Sequence, residues 1–158
     1  MTGWRIGWLI GPKEIIKKCA NLQGQSTSHA TAFAQKAAEI ALKSPQEEAN
    51  KMCKTFAERA KFLCEKLKTI PNIEFIPPEG TFYLFAKVSS YYGKKTPQGK
   101  IISDSISFAE YILDEAKVAL VPGMAFGNDE FVRISFANSL ENLEKAIERI
   151  KEALEKLA

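Results

Sequence analysis

Apolar residues change their spacing several times along the chain, and each spacing predicts an element. The first run, Arg5-Ile6-Gly7-Trp8-Leu9-Ile10, closes on Gly11-Pro12 and reads as a strand ended by a turn. Pro12 suits the first position of a helix carrying Ile15, Ile16, Cys19, Ala20 and Leu22 on one face. A polar connection, Gln23 to His29, then leads to an Ala-rich helix from about Ala30 to Leu42. The next helix has the clearest signature. Ser44 suits an N-cap, Pro45 the first turn, and Glu47 completes a capping box. Ala49, Met52, Phe56, Ala60, Leu63, Leu67 and Ile70 then recur in steps of three and four until Pro71. From Pro45 to Ile70 such a helix is roughly 39 Å long.

Beyond Pro71 the period becomes two. Phe82 to Val88 reads as a strand introduced by Pro77-Pro78-Glu79-Gly80. Ser89 to Lys100 is a polar loop, either a functional flap or a floppy one. A helix follows from about Asp104 to Ala116, with Phe108, Ile112, Leu113 and Ala116 inward. Val118 to Val121 is a short strand, Pro122 to Gly127 a loop, and Phe131 to Ala137 another strand. The last helix, Leu140 to Leu157, carries Leu140, Leu143, Ile147, Ile150, Leu154 and Leu157 in a 3-4-3-4-3 pattern. About two and a half heptads is short for a coiled coil, so this is a core-packing terminal helix. The fold class is therefore α/β, helix-rich and mixed, with a small, partly antiparallel sheet.

Composition narrows the function classes. The chain has 158 residues, 46% hydrophobic and 26% charged, ordinary for a soluble globular protein. No apolar run approaches the roughly 18 residues of a membrane span. Twenty-two basic residues against 19 acidic ones leave a net charge of +3, too even to argue for nucleic acid. Cys19, Cys53 and Cys64 have no paired spacing. That excludes a zinc signature and leaves them as small buried hydrophobes in a reducing, cytoplasmic setting. His29 is the single histidine, and a Cys–His nucleophilic pair has no local support. Metal sites are not expected. Trp4, Arg5 and Trp8 interrupt any signal-peptide core.

The remaining chemistry points to anions. Arg5 stands between Gly3 and Gly7, where a backbone could approach a ligand and a guanidinium fork onto phosphate or carboxylate; a surface arginine beside a turn is the plainer alternative. Gln25-Ser26-Thr27-Ser28 offers hydroxyls and N–H groups ahead of a helix, as an anion site or simply as a cap. On the last strand Val132, Ile134 and Phe136 share one face, and Arg133, Ser135 and Ala137 the other. Arg133 is thus either solvent-facing or the anion-binding point of a pocket. Pro122 to Gly127 is a structural turn or a pocket wall.

Five ordered segments carry a family resemblance. Met1-Thr2-Gly3-Trp4-Arg5-Ile6-Gly7-Trp8, with Gly11-Pro12, resembles the segment after the Schiff-base lysine of class I pyridoxal-phosphate aminotransferases, the aspartate aminotransferase family. Leu22 to Ser28 resembles that family's subunit-interface loop, and Glu79-Gly80-Thr81-Phe82-Tyr83 its small-domain strand entry. Val121 to Gly127, followed by Val132 to Ala137, resembles its carboxylate-binding region.

The resemblance implies roles. Arg5 would bind the phosphate of pyridoxal phosphate, and Thr27 and Ser28 would lie near the phosphate of the neighbouring subunit in a homodimer. Arg133 would hold the α-carboxylate of an amino or 2-oxo acid, with Phe82, Met124 and Phe126 walling the pocket. Residues 1–44 would be a remnant of the large cofactor-binding domain and its interface loop, and 45–158 the C-terminal small domain. In the family the motif reads S-K-x-x-x-M-T-G-W-R. The Schiff-base lysine, and the Asp, Tyr and Asn around the pyridine ring, would therefore lie upstream of Met1. The expectation is the C-terminal part of an aminotransferase, with no catalytic residue of its own, no cofactor bound and no activity in isolation. The substrate amino acid, aspartate or another, stays open. The rival expectation is a non-catalytic module that self-associates or complements a separate large domain.

Overall fold

The computed structural model describes residues 1–158, apart from the side chain of Thr2. The chain divides into two units, Met1–Asn50 and Lys51–Ala158.

The first unit is helical. A 3-10 turn at Thr2–Trp4 precedes α1 (Lys13–Ser26) and α2 (Ala32–Lys43). The strand expected over Arg5 to Ile10 does not form. A strand exists by pairing, and among the described residues no segment pairs with this one. Trp8, Leu9 and Ile10 are 63%, 64% and 93% exposed. The helix after Pro12 runs on to Ser26, so most of the expected polar connection is its last turn. It buries none of its residues, whereas α2 buries Ala34 and Ala38. Trp4 meets Phe33 edge to face, 6.4 Å between centroids.

The long helix, α3, spans Glu47–Leu67. It begins later than expected because Ser44 closes α2, donating its backbone N–H to the Ile40 carbonyl. The expected stripe buries Leu63 and Leu67 completely, while its beginning at Met52 is exposed.

In the second unit, β1 (Glu74–Phe75), β2 (Tyr83–Lys87), β3 (Val121–Pro122) and β4 (Phe131–Ser135) form one sheet in the order β1-β2-β4-β3. Every pairing is antiparallel, so the sheet is wholly rather than partly so. The expected strand at Val118 to Val121 shrinks to Val121–Pro122, and β4 stops two residues short of Ala137.

α4 (Ser105–Ala116) and α5 (Leu140–Glu155) complete the unit. Asp104 caps α4 with a capping box, accepting from the Ser107 N–H at 2.7 Å. α4 turns Phe108, Ile112 and Ala116 inward as expected, but Leu113 is half exposed. Likewise Leu140 is 45% exposed, while Leu143, Ile147, Ile150 and Leu154 of α5 are buried. Period-two alternation gives the sheet a buried face of Leu84, Ala86, Val132 and Ile134, which joins Leu63, Leu67, Phe108, Ile112 and Ile147 in one core.

The segment Ser89 to Lys100 carries more structure than its polarity suggests. It holds a 3-10 turn, an isolated bridge from Lys95 to Ile101, and buried Tyr91 and Thr96. Of the cysteines only Cys64 is buried; Cys19 is exposed on α1, which buries none of its residues, and Cys53 is exposed near the start of α3, on the face that buries Cys64 about three turns later. No helix among the described residues is long and apolar enough to cross a membrane.

Candidate functional site

The other face of the sheet carries Tyr83, Phe85, Lys87, Phe131, Arg133 and Ser135, all but Ser135 half-buried. Arg133 sits between two neighbours, paired with Phe85 on β2 and with Val121 on β3. Tyr83 pairs with Ser135, which puts it diagonal to Arg133. The guanidinium carbon lies 4.4 Å from the centre of the Tyr83 ring and 4.5 Å from that of Phe126. Phe126 also meets Phe85 edge-on, and Phe85 stacks on Phe131 at 4.8 Å.

Two ring faces therefore hold the arginine through its cation–π surface, each contact contributing about 0.5–2 kcal/mol. They leave the N–H edge of the guanidinium as its polar outlet. Among the described residues Arg133 makes no ion pair. Glu130, three residues earlier in the chain, lies 3.5 Å from Lys87. A planar fork of N–H donors on an aromatic shelf, with no acid of its own, is suited to a carboxylate from outside.

Phe126 and Met124 lie on the 3-10 turn Gly123–Phe126 that follows β3, and both side chains are about half exposed. Gly123 is required there. A Cβ on it would fall 2.2 Å from the Phe131 carbonyl oxygen and 2.3 Å from that of Asn128. Phe82 is placed differently. It precedes β2, packs on Phe56 at 6.1 Å, and reaches the arginine's surroundings through Tyr83, 4.1 Å away. The ring on the guanidinium is Tyr83, which sequence reasoning missed. Alternation puts Tyr83 and Phe85 on one face, but only the cross-strand register shows that Arg133 shares it.

The phosphate candidates lie in the first unit. Arg5 follows the 3-10 turn with φ 55°, in the left-handed region, and is exposed. Because α1 continues to Ser26, Thr27 donates its N–H to the Gln23 carbonyl at 2.9 Å, and the Ser26 hydroxyl turns back to Leu22 at 3.0 Å. Thr27 and Ser28 are both exposed, and Ser28 too is left-handed, at φ 65°. The Arg5 guanidinium and, separately, the hydroxyls of Thr27 and Ser28 are each of the chemistry that a phosphate such as that of pyridoxal phosphate accepts bonds from. The N–H of Thr27, by contrast, is already used.

Burial, joined by the carboxylates of Asp129, Asp104 and Glu130, pushes the Tyr92 hydroxyl up to about 12. It stays protonated and donates to the Asp129 carbonyl, behind the turn that carries Phe126.

Residues 1–150 match the family model described as aminotransferase class I and II. The chain is 46% identical over 153 residues to a probable aspartate/prephenate aminotransferase of Rickettsia felis, covering 97% of this chain and 37% of that protein. It is 46% identical over 157 residues to a bifunctional aspartate aminotransferase and glutamate/aspartate-prephenate aminotransferase of Petunia hybrida, covering 98% of this chain and 33% of that one. The crystal structure of the aspartate aminotransferase from Rhizobium meliloti superposes with a TM-score of 0.86 at 41% identity, over 100% of this chain and 40% of that one. The chain thus spans between a third and two-fifths of the length of these relatives. With the ordered motifs and the family match covering nearly all its residues, this chain belongs to the class I and II aminotransferases.

Proposed function

We propose that these residues form the C-terminal part of an enzyme that transfers an amino group between an amino acid, aspartate foremost, and a 2-oxo acid. The observation that carries this reading is Arg133, shelved between Tyr83 and Phe126 and, among the described residues, in no ion pair. Its N–H edge binds the substrate carboxylate with two parallel bonds and so orients the α-carbon. Phe126 and Met124 wall the substrate, and Phe82 supports Tyr83 from behind. Pyridoxal phosphate, when bound, supplies the electron sink for the transfer. Arg5 holds its phosphate, and Thr27 and Ser28 serve the phosphate of the neighbouring subunit in a homodimer. The three thiols suit a reducing cytoplasm.

Hydrogen bonds to a charged group contribute about 1.5–3 kcal/mol each. Losing two should lower kcat/KM for L-aspartate by about 100-fold or more in Arg133→Ala of the complete enzyme. A change under about threefold sinks the carboxylate role. Arg5→Ala should weaken retention of pyridoxal phosphate on dialysis. The 158-residue polypeptide alone should be inactive; a stoichiometric, borohydride-trapped single-site adduct with pyridoxal phosphate would overturn that.

The apolar surface of residues 1–50 supports a second reading, a module that self-associates or complements a separate large domain. Trp8, Leu9, Ile10, Ile15, Leu22 and Phe33 are each more than half exposed. In both readings 1–44 belongs to the larger domain and 45–158 is the small domain. A clean monomer by light scattering, with residues 1–44 protected from exchange, counts against self-association.

A further inference from the structure

Ser105 is a polar residue with no exposed surface at all, at the first position of α4. Its backbone N–H and its hydroxyl both donate to Oδ1 of Asp129, at 3.1 and 2.6 Å. The same hydroxyl oxygen accepts the backbone N–H of Met124 at 3.2 Å. One serine thereby joins three elements: the start of α4, the segment entering β4, and the turn that carries Met124 and Phe126. Asp129 is held from behind as well, since its carbonyl accepts the Tyr92 hydroxyl. The turn closes on itself through Asn128 N–H to the Gly123 carbonyl at 3.2 Å and Gly127 N–H to the Met124 carbonyl at 3.1 Å. Its far end presents Phe126 to the Arg133 guanidinium.

We propose that Ser105 and Asp129 are positioning residues of the Arg133 site: their hydrogen bonds hold the Gly123–Phe126 turn, and so keep Phe126 against the guanidinium in its carboxylate-binding orientation. Neither residue touches substrate. This rests on the carboxylate role assigned to Arg133 above. Removing the Ser105 hydroxyl takes the acceptor from the Met124 N–H and one of two Ser105 donors from Asp129 Oδ1, which loosens the turn rather than the chemistry. The effect falls on substrate binding. Asn at 129 keeps an Oδ1 that can accept both Ser105 bonds, whereas Ala does not.

The test is made in the complete enzyme, with L-aspartate as the reacting probe and succinate as a non-reacting one. Ser105→Ala and Asp129→Ala should each raise the KM for L-aspartate and the Kd for succinate by about tenfold, with kcat within about twofold of the parent. Asp129→Asn should restore both to near the parent values. A lowered Tm with unchanged KM and Kd would show a structural role only and overturn the proposal. So would Asp129→Asn behaving like Asp129→Ala.

Should the alanine variants fail to fold, hydrogen exchange in the unaltered enzyme decides. Succinate should slow exchange of the Met124 N–H, because a site that needs the turn closed must in turn favour its closure. Exchange insensitive to succinate overturns the proposal. Arg133→Ala separates the two readings. If it abolishes succinate binding while Ser105→Ala does not weaken it, the positioning role fails and the carboxylate role stands. If Arg133→Ala itself binds succinate normally, both fail.

Discussion

Gly123→Ala tests how tightly the turn beneath the candidate site is built. The added Cβ would lie 2.2 Å from the Phe131 carbonyl oxygen and 2.3 Å from that of Asn128, both backbone atoms. To reach even 3.0 Å, these carbonyls must retreat by about 0.8 Å in a close-packed interior. The retreat pulls on the pairing of Pro122 with Val132 and on the 3.2 Å bond from Asn128 to Gly123. Overpacking costs about 1–3 kcal/mol, and a buried backbone group left unpaired about 1–3 more. The entropy removed from the unfolded chain returns about 0.4–1 kcal/mol. The expected net loss is therefore about 3 kcal/mol, or about 10 °C or more in Tm for a unit of this size. Urea unfolding followed by far-UV circular dichroism measures it, since both tryptophans lie in the first unit. Gly80→Ala is the control, because its Cβ would meet nothing within 4 Å. A Gly123→Ala loss under about 1 kcal/mol would refute the reasoning, since it would mean the turn can shift freely.

Three other outcomes follow from the same structure. Leu63→Ala removes a fully buried side chain from the core and should cost about 2–5 kcal/mol in urea unfolding. Asp104→Ala removes the cap of α4 and should cost about 1 kcal/mol. Hydrogen bonds from Ser107, backbone then side chain, hold the Asp104 carboxyl below its usual value. Its contribution is therefore present above the unfolded carboxylate pKa and lost as pH falls through the lower folded one; an acid titration of stability that Asp104→Ala leaves unchanged would contradict this. Tyr92 works in the opposite direction. Burial raises its folded pKa to about 12 from 10.0, so its contribution is complete below pH 10 and lost as pH rises towards 12. Tyr92→Phe should flatten that alkaline loss, followed by circular dichroism against pH.

The parts of the fold legible in the sequence are those where a single periodicity decides the outcome. The stripe on α3 and the 3-4 pattern on α5 need only a face to bury, and Leu63, Leu67, Ile147 and Ile150 are buried accordingly. Arg133 on the non-core face of its strand was likewise readable from alternation alone. What misled was local composition without a partner. Arg5 to Ile10 has the residues of a strand, but among the described residues no segment pairs with it. Ser44 has the chemistry of an N-cap, yet serves the helix before it. Ser89 to Lys100 is polar along its length but is tied down by the Lys95–Ile101 bridge and by burial of Tyr91. Of the candidate site, Arg133, Met124 and Phe126 were legible, whereas Tyr83, Ser105 and Asp129 were not. Nothing local distinguishes a serine that starts a helix from one that also holds a distant turn.

By itself, then, the sequence determined the helical stripes, the facing of each strand and the family, because these depend on residue order and short-range periodicity. The tertiary structure alone decided the register that sets Tyr83 diagonal to Arg133, the Ser105–Asp129 link, and which apolar runs find partners. The physical reason is that hydrogen bonds, cation–π contacts and strand pairs act between residues distant in the chain. Whether two such residues meet is a property of the closed packing, not of either segment.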